Sequence, residues 1–147
     1  MNEDKHVNVN HARLDEQRKV MEKIVEDDRC PFCPQYLRQY HKEPIILDGT
    51  YWILTNNQWP YEDVKHHFLI ILKRHARHIK ELSIEEFSEL HELIKKACEK
   101  FSMPGASFFL RFGETKYTGG SVNHLHAQLL QGDADNPNHK SVKVKLG

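Results

Sequence analysis

Apolar positions repeat along this chain in two rhythms, and the order in which the rhythms alternate predicts the architecture. From about His11 to Asp27, Leu14, Val20, Met21, Ile24 and Val25 recur among charged residues at helical spacing, and the Asp27-Asp28-Arg29 turn ends the run. Two short runs follow, Pro44-Ile45-Ile46-Leu47 and Tyr51-Trp52-Ile53-Leu54, on either side of Asp48-Gly49; this pattern predicts a hairpin. His67 to Leu72 is almost continuously apolar and predicts a buried strand. The helical rhythm returns after Ser83-Ile84-Glu85-Glu86, which has capping-box spacing, and Ile84, Phe87, Leu90, Leu93, Ile94 and Phe101 mark one long helix closed by Pro104-Gly105. Ser107 to Phe112 and His124 to Leu130 supply two more strands, and Val142-Lys143-Val144 a short edge strand. The expectation is an α+β domain: an antiparallel sheet of about five strands with one long helix and an N-terminal helix. A single domain is read over 1–147, divided into an N-terminal helical extension (1–27), a core (28–132) and a C-terminal tail (133–147).

Composition narrows the functional classes. At 147 residues the chain can bury a core without disulfides. Lysine plus arginine equal aspartate plus glutamate at 21 each, so no global basic field favours nucleic acid, and an anionic ligand must be held locally. The start, Met1-Asn2-Glu3-Asp4-Lys5, is polar, and no run approaches a membrane span; a cytoplasmic protein with no membrane association is expected. Three cysteines, two of them in Cys30-Pro31-Phe32-Cys33, suit a reducing compartment.

The strongest chemical signal is Gly119-Gly120-Ser121-Val122-Asn123-His124-Leu125-His126-Ala127-Gln128. Strand alternation puts His124, His126 and Gln128 on one face and Leu125, Ala127 and Leu129 on the other. The Gly-Gly-Ser turn before them offers backbone amides suited to a phosphate. The second signal is Cys30-x-x-Cys33. A redox dithiol belongs at a strand-to-helix junction, whereas this pair follows a helix and precedes a turn and a hairpin, which favours structural Zn2+. His75 or His78 supplies a third ligand and His124 the fourth. Elsewhere the plain readings prevail: Lys116 as a solvated loop lysine, His11 and His91 on helix surfaces, Trp52 and Trp59 in the core, Cys98 buried in its helix, and only one of His66 and His67 facing the active side.

Taken together, Cys-x-x-Cys, a hydrophobic strand ending in Lys-x-His, a helix, and then Gly-x-Ser-Val-x-His-x-His-x-Gln resemble the histidine-triad (HIT) superfamily. The match runs from about Cys30 to Leu130. It is most similar to the branch containing galactose-1-phosphate uridylyltransferase and the diadenosine tetraphosphate phosphorylases, where glutamine replaces the last histidine, as Gln128 does here. The resemblance implies a structural zinc on Cys30, Cys33, His75 and His124, a nucleophile at His126, and a phosphate contact at Ser121. It also implies nucleotide contacts at Phe32, at Asn56 and Asn57 of Thr55-Asn56-Asn57, and at the Gly119-Gly120 turn, together with a homodimer. Leu72, Gly113 and Gly120 depart from residues common in the family (proline, asparagine and glutamine).

The chemistry expected is attack of a neutral imidazole on a nucleotide α-phosphate, giving a covalent nucleotidyl-histidine, with a backbone carbonyl fixing the tautomer of His126. Phosphate or a sugar phosphate then accepts the nucleotidyl group from a nucleotide or dinucleotide substrate. The alternatives are a HIT-type hydrolase, in which water is the acceptor, and a zinc-stabilised nucleotide-binding module without turnover.

Overall fold

The computed structural model describes residues 5–147; the polar start read at Met1 to Asp4 lies outside the described residues. In chain order the elements are α1 (Asp15–Asp27), α2 (Leu37–Tyr40), β1 (Ile45–Asp48), β2 (Trp52–Asn56), β3 (Val64–Leu72), α3 (Ile84–Lys100), β4 (Ser107–Leu110), α4 (Thr115–Thr118) and β5 (His126–Gly132). The strands form one antiparallel sheet in the order β1-β2-β3-β5-β4. The fold is therefore α+β, as the two rhythms predict.

Alternation along the central strands sorts the sheet into two faces. Trp52, Leu54, Phe68, Ile70, Leu72, Ala127 and Leu129 pack with Leu90, Leu93 and Ala97 of α3 in the main core. The opposite face carries Ile53, Leu69 and Ile71 against Phe32 and Leu37, and the same parity brings Thr55, His67, His126 and Gln128 to that side. One face thus stabilises the domain and the other builds a site.

Helix α3 starts where its capping box predicts: Ser83 Oγ accepts from the Glu86 amide, and Glu86 Oε1 accepts from the Ser83 amide at 2.9 Å. Glu86 also receives Arg74, whose guanidinium holds this buried carboxyl down to about 2. One turn further along α3, Glu89 accepts the amides of Thr50, Tyr51 and Trp52 at 2.7–2.8 Å and so ties the β1–β2 turn to the helix. The approach is close enough to need glycine at position 49, where a Cβ would lie 2.7 Å from the Glu89 carboxylate.

Three expectations are corrected. The N-terminal helix begins at Asp15 rather than His11, because Val7 bridges to Val122 and the residues after it close a 3-10 turn at Val9–His11, capped by Asn8 Oδ1. His11 is accordingly not a solvated helix residue; its Nδ1 donates to the Gly120 carbonyl at 2.7 Å. Residues 142–144 form no strand, since the carbonyl of Lys145 in the same tail is taken by Arg111 at 2.9 Å rather than by a neighbouring backbone. Among the described residues no helix is long and apolar enough to cross a membrane.

Candidate active site

Cys30 and Cys33 lie between the end of α1 and α2, His75 just beyond β3, and His124 two residues before β5. The fold converges these distant segments: the four ligand atoms all fall within 4.8 Å of one another. The Sγ···Nδ1 separations are 3.3–3.7 Å and the two Nδ1 atoms are 3.2 Å apart. A tetrahedral site built with zinc's bond lengths to sulfur and imidazole nitrogen has edges of about 3.6 Å and about 3.3 Å, so the cluster has the size and donor set of such a centre. The Leu72 carbonyl, 2.6 Å from His124 Nε2, can only accept; Nε2 carries the proton and Nδ1 is left as a lone pair facing the thiols. Burial and the neighbouring Cys30 push the Cys33 thiol well up, so a cation is what would turn this thiol into a ligand. His78 stands apart, capping the 3-10 turn Ile79–Glu81 by accepting from the Lys80 amide.

Two residues further along the chain, His126 opens β5 with the opposite arrangement. Its Nδ1 donates to the His124 carbonyl at 2.7 Å, which fixes the tautomer and leaves Nε2 unprotonated. Burial holds this ring down to about 4, so it stays neutral near pH 7. Phe32 packs edge-on against it, with ring centroids 5.0 Å apart.

Gln128 follows on the same face and is oriented by His67. The Tyr61 amide donates to His67 Nδ1 at 3.1 Å, so the proton sits on Nε2, which donates to Gln128 Oε1 at 2.6 Å. The carboxamide oxygen is thereby committed, and the NH2 group remains for the cavity. His67 is thus the member of the His66–His67 pair on the active side. Its parity with Leu69, which pairs with Gln128, carried that information, but the register is visible only once the sheet is assembled.

These groups open into a cavity of about 530 Å³ whose lining includes Phe32, Asn57, Gly119, Ser121, His126 and Gln128. Asn56 is not among its lining residues: it is two positions after Leu54 and so shares the parity of the α3 face. The Gly119 and Gly120 amides do not point outward either. They donate to the Thr115 carbonyl and to Thr118 Oγ1, both at 3.0 Å, closing α4 into the turn that presents Ser121. Gly119 has φ +73°, and a Cβ there would meet the Lys145 carbonyl at 2.8 Å. Lys116 is exposed beside Glu114, as expected, and Trp52 is core, whereas Trp59 lines the cavity. The N-terminal segment and the C-terminal tail add walls, through residues such as His11, Arg13, Gln17 and Lys145, that the sequence did not assign.

Residues 48–135 match the family described as HIT domain, a stretch that carries β2, β3, α3, β4 and β5 with the whole His-x-His-x-Gln motif. The chain belongs to the HIT domain family. Solved structures with the same fold include a HIT family hydrolase from Clostridium thermocellum, 22% identical, with a TM-score of 0.56 over 71% of this chain and 91% of that one. The diadenosine triphosphate hydrolase of Plasmodium falciparum is also 22% identical, with a TM-score of 0.53 over 66% of this chain and 65% of its own. A Zn-bound histidine triad family protein from Mycobacterium smegmatis is 12% identical, with a TM-score of 0.53 over 75% and 79%. No curated protein sequence matches the chain. This HIT domain begins its family match at Asp48, so Cys30, Cys33 and the cavity walls contributed by α1 lie outside the matched stretch.

Proposed function

We propose that this HIT domain is an enzyme that transfers or cleaves at a nucleotide α-phosphate through a nucleotidyl-histidine on His126. The observation that carries the reading is the bond from His126 Nδ1 to the His124 carbonyl, which leaves a neutral Nε2 lone pair on a residue lining the cavity. Nε2 forms a bond to the α-phosphorus as the bond to the leaving oxygen breaks, and the leaving group departs with that electron pair. Ser121 and the Gln128 NH2 donate to the non-bridging oxygens, and Phe32 and Asn57 border the nucleoside. An acceptor oxygen then displaces His126 and restores the neutral ring.

Gln128 favours phosphate or a sugar phosphate as acceptor, as in the branch of galactose-1-phosphate uridylyltransferase and the diadenosine tetraphosphate phosphorylases. A carboxamide donates a hydrogen bond but has no proton to transfer to a departing amine or alkoxide. A hydrolase, with water as acceptor, is the second reading, supported by the hydrolase names of the Clostridium and Plasmodium neighbours. Zinc on Cys30, Cys33, His75 and His124 is structural in either case: all four ligands come from the chain, and it would fix the segment whose carbonyl holds His126. A homodimer and a cytoplasmic location belong to the same proposal; edge strand β4 presents Phe108, and all three cysteines are free thiols.

The test is to incubate the protein with α-phosphate-labelled mono- and dinucleotides, isolate the labelled chain and follow its decay with and without phosphate or a sugar phosphate. Acceptor-dependent decay supports the transferase, and equally fast decay in plain buffer moves the protein to the hydrolases. Nucleotide binding with no label on His126 leaves a binding module without turnover.

A further inference from the structure

The chain has zero net charge, yet the cavity wall is one-sided. Arg13, Arg111, Lys143 and Lys145 line it, and among the described residues no acidic side chain does. Both arginines engage Tyr61, Arg13 at the ring face and Arg111 at the hydroxyl. The Arg13 guanidinium lies 4.5 Å over the ring centroid and donates to the Trp59 carbonyl, while Arg111 reaches the Tyr61 hydroxyl at 3.4–3.5 Å and the Lys145 carbonyl at 2.9 Å. Neither forms an ion pair among the described residues, although seven other lysines and arginines do, counting Lys5, Lys23, Lys65, Lys73, Arg74, Lys95 and Lys116. Arg111 Nε is buried with no hydrogen-bond acceptor among the described residues.

Arg111 also packs on the phosphate side of the site. A Cβ on Gly120 would lie 3.5 Å from its Cδ, which puts the arginine directly behind the turn that presents Ser121. Its charge reaches Arg13, whose pKa is lowered first by burial and then, against the opposing Tyr61, by the nearby Arg111. Two like charges brought together beside a buried imidazole, with no acidic side chain of the described residues in the cavity wall beside them, are repulsive in the free protein. An anion would relieve that repulsion and supply an acceptor for Arg111 Nε.

We propose that Arg13 and Arg111, braced on the ring face and on the hydroxyl of Tyr61, form a subsite for a second phosphoryl group next to the one presented to His126. The subsite rests on the nucleotide reading of the cavity for its orientation. Its occupant is either the next phosphate of a nucleoside polyphosphate or a free phosphate acceptor, which share the same tetrahedral phosphoryl-oxyanion chemistry. Because Arg13 comes from the segment before α1, the N-terminal extension then takes part in substrate selection.

The experiment is calorimetric titration of the full chain with AMP, ADP and inorganic phosphate, the last both alone and with AMP already bound. The wild type should bind ADP about 10- to 100-fold more tightly than AMP, the range of one or two charge-assisted hydrogen bonds. Arg111→Gln and Arg13→Gln should each reduce that preference, and rising salt should weaken ADP more than AMP. Phosphate binding on top of AMP identifies the acceptor, and its absence alongside an ADP preference identifies the polyphosphate chain. Equal affinity for ADP and AMP in the wild type, with no phosphate bound, would overturn the subsite. So would an equal loss of both nucleotides in thermally stable Arg111→Gln and Arg13→Gln proteins. Arginine-dependent phosphate binding without any nucleotide binding would keep the subsite and overturn the nucleotide reading instead.

Discussion

His124 and His126 are two residues apart on one face of one segment, both buried, and both anchored by one ring nitrogen to a backbone carbonyl. They nevertheless expose opposite nitrogens. His124 gives its Nε2 proton to Leu72 and turns Nδ1 to the thiols, whereas His126 gives its Nδ1 proton to His124 and leaves Nε2 for the cavity. Residue type and strand parity are the same; the position of one carbonyl decides which nitrogen is available and therefore which task the ring performs. The two regions are also in series, because the carbonyl that orients His126 belongs to the residue held at the cysteine cluster.

The largest effect should come from the cavity side of this pair. His126→Gly is expected to lower turnover by about 10⁴-fold or more, the scale for losing a nucleophile, with metal content and melting temperature unchanged; metal loss in that variant would show that the two histidines are not separable. On the other side, Cys30→Ala or His75→Ala should abolish the binding of about one zinc per chain, and reduce stability by roughly 3 kcal/mol or more. His78→Ala should retain the metal and lose only the roughly 0.5–1 kcal/mol of a helix cap, which elemental analysis and denaturant titration will separate.

A smaller change sharpens the role of the third position. His67→Phe removes the donor to Gln128 Oε1 and should slow turnover about 3- to 10-fold, the worth of one neutral hydrogen bond, without altering zinc content. An unchanged rate would mean that Gln128 is oriented by other contacts. A test independent of the rate measurements is acid stability. Burial pushes both His41 and His67 down to about 4 from an ordinary 6.5. As pH falls the unfolded chain therefore takes up protons first, and the stability present above about 6.5 is lost between 6.5 and 4. Melting temperatures across that window should fall steadily, and His41→Gln should flatten part of the slope; a flat wild-type profile would contradict the buried neutral rings.

Much of this was legible in the chain because it was written in local periodicities. The Ser83 capping box, the apolar run into Leu72 and the alternation from His124 to Gln128 each depend on neighbours three or fewer residues away. What was missed depends on long-range choices. The segment before α1 left the helix because Val7 finds Val122, more than a hundred residues on, and His11 was carried with it to Gly120. The amides of Gly119 and Gly120 read as free for a phosphate but close the end of α4, a helix of four residues too short to announce itself by period. Asn56 belonged to the right segment and the wrong parity. Arg13 and Arg111 carried no local signal, since only the folded cavity reveals that they share a wall in which no acidic side chain of the described residues appears.

The grip of Glu89 on the β1–β2 turn bears on how the sheet opens. Thr50 and Tyr51 are exposed at a hairpin tip, where amide protons ordinarily trade with solvent deuterium within seconds to minutes, yet both are bonded to a carboxylate on α3. Their exchange should therefore report the detachment of the helix rather than the fraying of the strands, making a surface loop a slow-exchanging reporter of the main core beneath it.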